Sequence, residues 1–214
     1  MNKRNWLALF GFVYVLVWVI GLVLPTGTLS TSMPNAEIQQ VLLAHSQARL
    51  IQVYLIDGIA GISILLFAVA TASLFRTSDE DNRSLTSVVL GAGIAAGSIS
   101  LVQAGVQQTL INPELLASSD SPFRVLLILV NQIDTFKLMA LALLSLSTSI
   151  LGLRTRVISV WIGWLGFVLT MALILGGLSF ASANSILTPV LFASLPMLLI
   201  WVASVSFAMM RKTA

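Results

Sequence analysis

Cysteine is missing from this 214-residue chain, and histidine occurs once, at His45. Without thiols there are no disulfides, no thiolate metal ligands and no cysteine nucleophile. One imidazole cannot assemble an ordinary transition-metal centre, so neither a metal nor any other cofactor is expected. Ser–His hydrolysis is disfavoured too, because His45 falls in a loop and no Gly-x-Ser-Gly segment occurs. Charge is also scarce. Only 9% of residues are Asp, Glu, Lys or Arg, against about 25% in an ordinary soluble domain.

What is abundant is hydrocarbon: 57% of residues are hydrophobic and the mean hydropathy is +0.99. The apolar residues come in blocks, the first running from Trp6 to Leu24 with no ionisable group except the phenol of Tyr14. About 20 mostly apolar residues span a hydrocarbon core of about 30 Å. Six segments reach that length: roughly 5–25, 50–75, 85–110, 125–152, 157–180 and 187–210. Barrel strands would alternate apolar and polar residues, and these segments do not, so they are read as helices. The expected fold is an all-α integral membrane protein, one domain over 1–214 formed by a bundle of six transmembrane helices. Its first expected partner is the lipid bilayer.

A net charge of +3 and a pI near 9.8 raise the question of nucleic acid, but the placement of the bases answers it differently. Lys3, Arg4, Arg76, Arg83, Arg154, Arg156, Arg211 and Lys212 fall on one side of the predicted bundle. Arg49 and Arg124 fall on the other, and Lys137 is within a span. The positive-inside rule then puts both termini in the cytoplasm, and no nucleic-acid partner is expected. Lys3-Arg4 also resembles the start of a signal peptide, but the apolar run of about 19 residues exceeds the usual run of about 7–15. A retained helix is preferred.

The longest predicted loop, 26–49, is on the outer side. Within it NAEIQQVLLAHSQ offers Asn35 as an N-cap, Glu37 in the first turn, and Ile38, Val41 and Leu42 at helical spacing. The segment reads as an extension of the second helix or a short interfacial helix. TSDEDNR, Thr77 to Arg83, reads as a solvated inner turn.

Three stretches carry a resemblance: PNAEIQQVLLAHSQARL, WIGWLGFVLTMALILGG after the basic LRTR turn, and TPVLFASLPMLLIWV before the closing MMRK. In them the chain resembles a group of small, uncharacterised bacterial six-helix membrane proteins. The resemblance implies a bacterial cytoplasmic membrane and six helices; it implies no activity and carries over no site residue.

The polar residues inside the spans are the informative exceptions. At about 1.5 Å of rise per residue, Asp57 lies roughly 10 Å below the outer boundary, and Gln103 is at a similar depth with Gln107 shallower. In the fourth span Asn131 lies about 9 Å down, Asp134 about 13 Å and Lys137 about 18 Å. Three adjacent spans therefore offer hydrogen-bonding groups at one level. Asn131, Asp134 and Lys137 form one stripe, Ser100, Gln103 and Gln107 another, and Tyr54 and Gly61 flank Asp57. Gln132 and Gln108 point away from these stripes.

A charge at the bilayer centre costs about 2.5–3.5 kcal/mol on insertion scales, so two carboxylates and one ammonium should face inward and pair. Asp134 and Lys137 are placed to pair along their helix, leaving Asp57 to share Lys137 or take up a proton. The expected ligand-binding residues are Asp57, Asp134, Lys137, Asn131, Gln103, Gln107 and Tyr54, around a small solute of cationic or amphipathic character. A purely structural role, with buried polar groups acting as interhelical glue, competes with that reading.

Other classes remain open at this point. An acid–base enzyme such as a cyclase or isomerase of a lipophilic substrate would use Asp57 as its acid and Asp134 as stabiliser. An accessory subunit would turn the polar pair toward a partner helix. A Schiff base on Lys137 needs one buried amine near carboxylates. Gly93 and Gly97, Gly163, Gly166, Gly176 and Gly177 read as packing within the bundle, with a homo-oligomer contact as the alternative. Pro196 should kink the last helix. Trp6, Trp161 and Trp164 read as an aromatic belt, and Tyr14 and Trp18 as residues lining the cavity or facing lipid or core.

Overall fold

In a bilayer no solvent meets a free backbone group, so each amide must find its partner within its own helix or in a closed sheet. The structure, a computed structural model, describes residues 3–75, 80–118, 122–182 and 185–213. These are helical apart from the loop 23–34 and shorter connections, with no strand among the described residues. In order they form α1 (Lys3–Leu22), α2 (Asn35–Val53), a π-helical turn (Tyr54–Ile59), α3 (Ala60–Leu74) and α4 (Glu80–Leu110). There follow α5 (Pro113–Ala117), α6 (Phe123–Thr155), α7 (Val160–Ser182), a 3-10 turn (Ser185–Leu187) and α8 (Thr188–Thr213).

Five stretches are long and apolar enough to cross a membrane: Asn35–Leu74, Asn82–Ala117, Phe123–Thr155, Val160–Phe180 and Thr188–Arg211. The apolar part of α1, Trp6–Leu22, is shorter. The chain is a multi-pass helical membrane bundle.

The long helices close into a ring in the order α1, α3, α4, α6, α7, α8 and back to α1. Gly11 of α1 packs against Ser206 of α8, which puts both termini at one end. We call the opposite end outer. The main core fills the ring, with Phe67, Leu144, Leu169, Trp201, Val202 and Val205 fully buried.

Small residues set the closest approaches. A Cβ on Gly93 would fall 2.0 Å from the Cβ of Ala68, and one on Gly97 would fall 2.6 Å from the carbonyl oxygen of Gly61. The Gly93–Gly97 pair therefore packs α4 onto α3 inside the bundle. In α7, Gly166 and Gly177 meet α6, and Gly176 meets Leu191 of α8. Gly91 has nothing within 4 Å of the corresponding position. Gly97→Val should thus destabilise the bundle by about 1–3 kcal/mol through overpacking, while Gly91→Val should be silent. Thermal midpoints of both variants in one detergent test this; equal melting would show that α3 and α4 are not in close contact.

The outer end carries a cap that the residue pattern only partly conveys. The helix that carries the second span starts at Asn35, so most of the predicted outer loop is helix. It is an extension of the second helix, bent at His45, whose φ of −124° and ψ of 16° break the helical run. Asn35 does not cap it. Pro34 occupies that position, and the Asn35 side-chain oxygen accepts instead from the Arg124 backbone N–H at 3.1 Å. Ile38 and Leu42 pack with Leu110, Leu116, Phe123 and Leu127 in a second, smaller core.

The Gln39 amide donates to the Leu116 carbonyl at 2.7 Å, tying α2 to α5. Gly27 turns the loop at a φ of +68°, and its carbonyl accepts from Arg49 Nη2 at 2.9 Å. At the other end α4 starts at Glu80, so Glu80 to Arg83 of the TSDEDNR segment are helix and not turn. Arg76 and residues 77–79 lie outside the described residues. α8 continues through Pro196 as one helix.

Candidate functional site

Asp57 sits on the π-helical turn. There the chain hydrogen-bonds five residues back instead of four, as the Ala60 N–H does to the Leu55 carbonyl. The wider turn changes the rotation per residue, which undoes the register that put Tyr54 beside Asp57. Tyr54 is 53% exposed on the outside of the bundle while Asp57 is buried. Tyr54 is accordingly not part of the cluster, and Gly61 packs against Ser100 of α4.

Lys137 of α6 reaches across the ring to meet Asp57. Its Nζ lies 3.2 Å from Asp57 Oδ1, 2.7 Å from Asp134 Oδ1 and 2.6 Å from Gln103 Oε1. An ammonium has three N–H donors, and here three acceptors surround it. Gln107 donates from Nε2 to Asp57 Oδ2 at 2.8 Å, so both oxygens of that carboxylate are engaged. The expected meeting of the second, third and fourth spans is what the structure contains. Lys137 is shared by both acids, so the pairing within α6 does not exclude the cross-ring one.

The two acids differ in exposure. The Asp57 side chain is 4% exposed, against 22% for Asp134. A cavity of about 790 Å³ opens in the outer half among α1, α6, α7, α8 and the loop at Leu29–Thr31, and Asp134 and Lys137 are in its wall. Asn131 lines it, as the stripe on α6 required, and so do Tyr14 and Trp18. Asp57, Gln103 and Gln107 lie behind Lys137 and do not. The acid assigned to an enzymatic mechanism, Asp57, is thus outside the cavity wall, and the carboxylate presented to an occupant is Asp134.

Residue spacing alone missed several lining groups. Gln132 was placed away from the stripe, yet it reaches the cavity because the opening spans more of α6 than one stripe. Arg124, exposed at the outer end of α6, and Ser179, Thr188 and Ser194 from the last two helices also line it. The floor is apolar: Leu141, Leu173 and Leu198 lie deepest in their helices. Among the described residues no group of three His, Asp or Glu side chains is placed to hold a metal.

With both carboxylates ionised, the two acids and one base carry a formal excess of one negative charge. Lys137 has no donor left for an anion, and its three contacts hold the amine in place rather than free it as a nucleophile. Asp134 keeps unused acceptor capacity toward the cavity, whose wall also holds the rings of Tyr14 and Trp18, with centroids 6.4 Å apart. Arg124 at the outer end of the cavity brings the formal charge around it to zero, so a cation is favoured locally, at Asp134 and at the ring faces.

These features define a class, a six-helix membrane bundle whose buried acid–base–acid triad backs onto an outer cavity. No known protein family, curated protein or solved structure matches the chain.

Proposed function

We propose that this protein binds, and as a carrier transports, a small solute of cationic or amphipathic character through the outer cavity. The observation that carries the reading is the asymmetry of the triad. Lys137 has all three N–H groups engaged and Asp57 has a partner on each oxygen, while Asp134 faces the cavity. Asp134 is the ion partner of the solute in this reading. Asn131 and Gln132 supply neutral hydrogen bonds, and Tyr14 and Trp18 supply ring faces. Lys137, Asp57, Gln103 and Gln107 fix the position and charge of Asp134 from behind. Enzymatic acid–base chemistry on a lipophilic substrate would have to run through Asp134 too. The charge pattern supports cytoplasmic termini, and the resemblance of the three quoted stretches supports a bacterial cytoplasmic membrane.

A hydrogen bond to a charged group is worth about 1.5–3 kcal/mol, so Asp134→Asn should weaken binding of ethylammonium or benzylammonium about 10- to 100-fold. The protein should remain folded, because Asp134 is the more solvated acid and Lys137 keeps Asp57. Equilibrium binding to purified protein in nanodiscs is the measurement. Equal affinity of wild type and variant for every ammonium tested would end the proposal.

A further inference from the structure

The cavity does not stop at the bundle surface. Phe192 of α8 and Ile128 of α6 both line it, yet they are 73% and 42% exposed. Each lies about one helical turn inside the outer end of its helix. Side chains that line a cavity and keep this much surface uncovered mark where it is open, and for apolar residues on a membrane helix we take that opening to give onto lipid.

On the outer aqueous side the cavity is bordered by Arg124 and by Leu29–Thr31, a loop tied to α2 through the Gly27 carbonyl, which accepts from Arg49. Charge and amides are concentrated on α6 at Arg124, Asn131, Gln132 and Asp134, while α8 offers Leu191, Phe192 and Leu195 with only the hydroxyls of Thr188 and Ser194.

We infer that the occupant is a long-chain ammonium amphiphile, held by its head at Asp134 with its tail lying past Phe192 and Ile128 into the bilayer. This rests on the solute-binding reading above and names the class of solute. A cationic head leaves Lys137 undisturbed, and an alkyl tail needs no hydrogen bond from the leucine and phenylalanine wall. The tail lies against lipid on one side, so the cavity volume sets no limit on its length.

The test uses two probes on wild-type protein in nanodiscs: ethylammonium, and hexadecylammonium with a photoreactive diazirine at the tail end. The tail carbene should label the peptides carrying Ile128 or Phe192, or neighbouring lipid. Excess unlabelled hexadecylammonium should remove that protein label, and Asp134→Asn should reduce it about 10-fold or more. Affinity, expressed per mole fraction in the membrane, should hold from decyl- to hexadecylammonium. Ethylammonium binding with a collapse at long chains, or tail label confined to Leu29–Thr31 and the floor leucines, would overturn the inference and leave the binding reading intact. Absence of binding by both probes would remove the two together.

Discussion

Lys137→Met should leave little folded protein, and Asp57→Asn in the same chain should restore most of it. The ammonium sits between two carboxylates and a glutamine oxygen, with its side chain 8% exposed. Removing one member of a buried ion pair costs about 3–5 kcal/mol, because the remaining charge is stranded. The stranded group here is Asp57, which keeps only the Gln107 contact. Gln103 loses its partner as well, and a buried acceptor left without a donor costs a further 1–3 kcal/mol or so. Total stabilities of about 5–15 kcal/mol leave little margin for such a loss.

The order of rescue is the sharper part. Asp57→Asn replaces the stranded charge with an amide able to bond Gln103 or Gln107, so the double variant should elute as a single species and melt near wild type. Asp134→Asn should rescue less, since Asp134 already meets the cavity. Asp57→Asn alone should be mild, because Lys137 and Asp134 then balance. Size-exclusion profiles and thermal midpoints of the four variants are the measurement. A Lys137→Met chain that melts with wild type would mean the triad holds nothing together.

The existence of that triad was legible from the chain because depth can be counted. Asp57, Gln103, Asn131 and Asp134 fall at one level of their spans, and a rise of about 1.5 Å per residue converts sequence position to depth without any knowledge of packing. The spacing of three that puts Asn131, Asp134 and Lys137 on one face uses the same regularity, and both failed wherever the helix is irregular. Tyr54 was assigned to the Asp57 face on ordinary helical rotation, and the π turn that carries both residues turns it outward. Nothing in YLIDGI declares an i to i−5 hydrogen bond. Asn35 looked like a cap because its residue type favours that role, but Pro34 holds the position and the amide serves α6.

The cavity was the least legible feature, for a different reason. It is a shortfall of packing among α1, α6, α7 and α8, and each of those helices is apolar enough to have closed it. Tyr14 and Trp18, four residues apart, are a hint of a shared face, yet lipid would explain them as well. Which carboxylate faces the opening depends on where Lys137 reaches, and that depends on the ring order of the helices. Sequence periodicity is a property of one helix at a time. The distinction between Asp57 and Asp134, on which the functional reading turns, belongs to none of them singly.

Trp201→Ala should cost about 3 kcal/mol, while Trp201→Phe should cost about 1 kcal/mol or less. The indole is fully buried in the centre of the ring, edge-on to Phe67 with centroids 6.1 Å apart. In water the alanine variant would lose transfer energy as well as packing, giving about 3–5 kcal/mol. In a membrane the separated helices still lie in hydrocarbon, so the transfer part largely cancels and the void remains. That places the expectation at the low end.

The phenylalanine variant is milder because the indole N–H has no hydrogen-bond partner among the described residues. Removing that group sheds an unpaired polar atom along with a ring. A Phe variant as unstable as Ala would show that the N–H does have a partner. The void has a second consequence, since Trp201 is one turn below Leu198 in the cavity floor, about 4.5 Å along the axis. Emptying that space should deepen the outer cavity toward Leu144. The chain has no cysteine, so Leu144→Cys is a clean reporter. A small water-soluble thiol reagent added from the outer side should label it in the Trp201→Ala background and not beside the intact indole. Equal labelling in both backgrounds would mean that Trp201 does not close the bundle below the site.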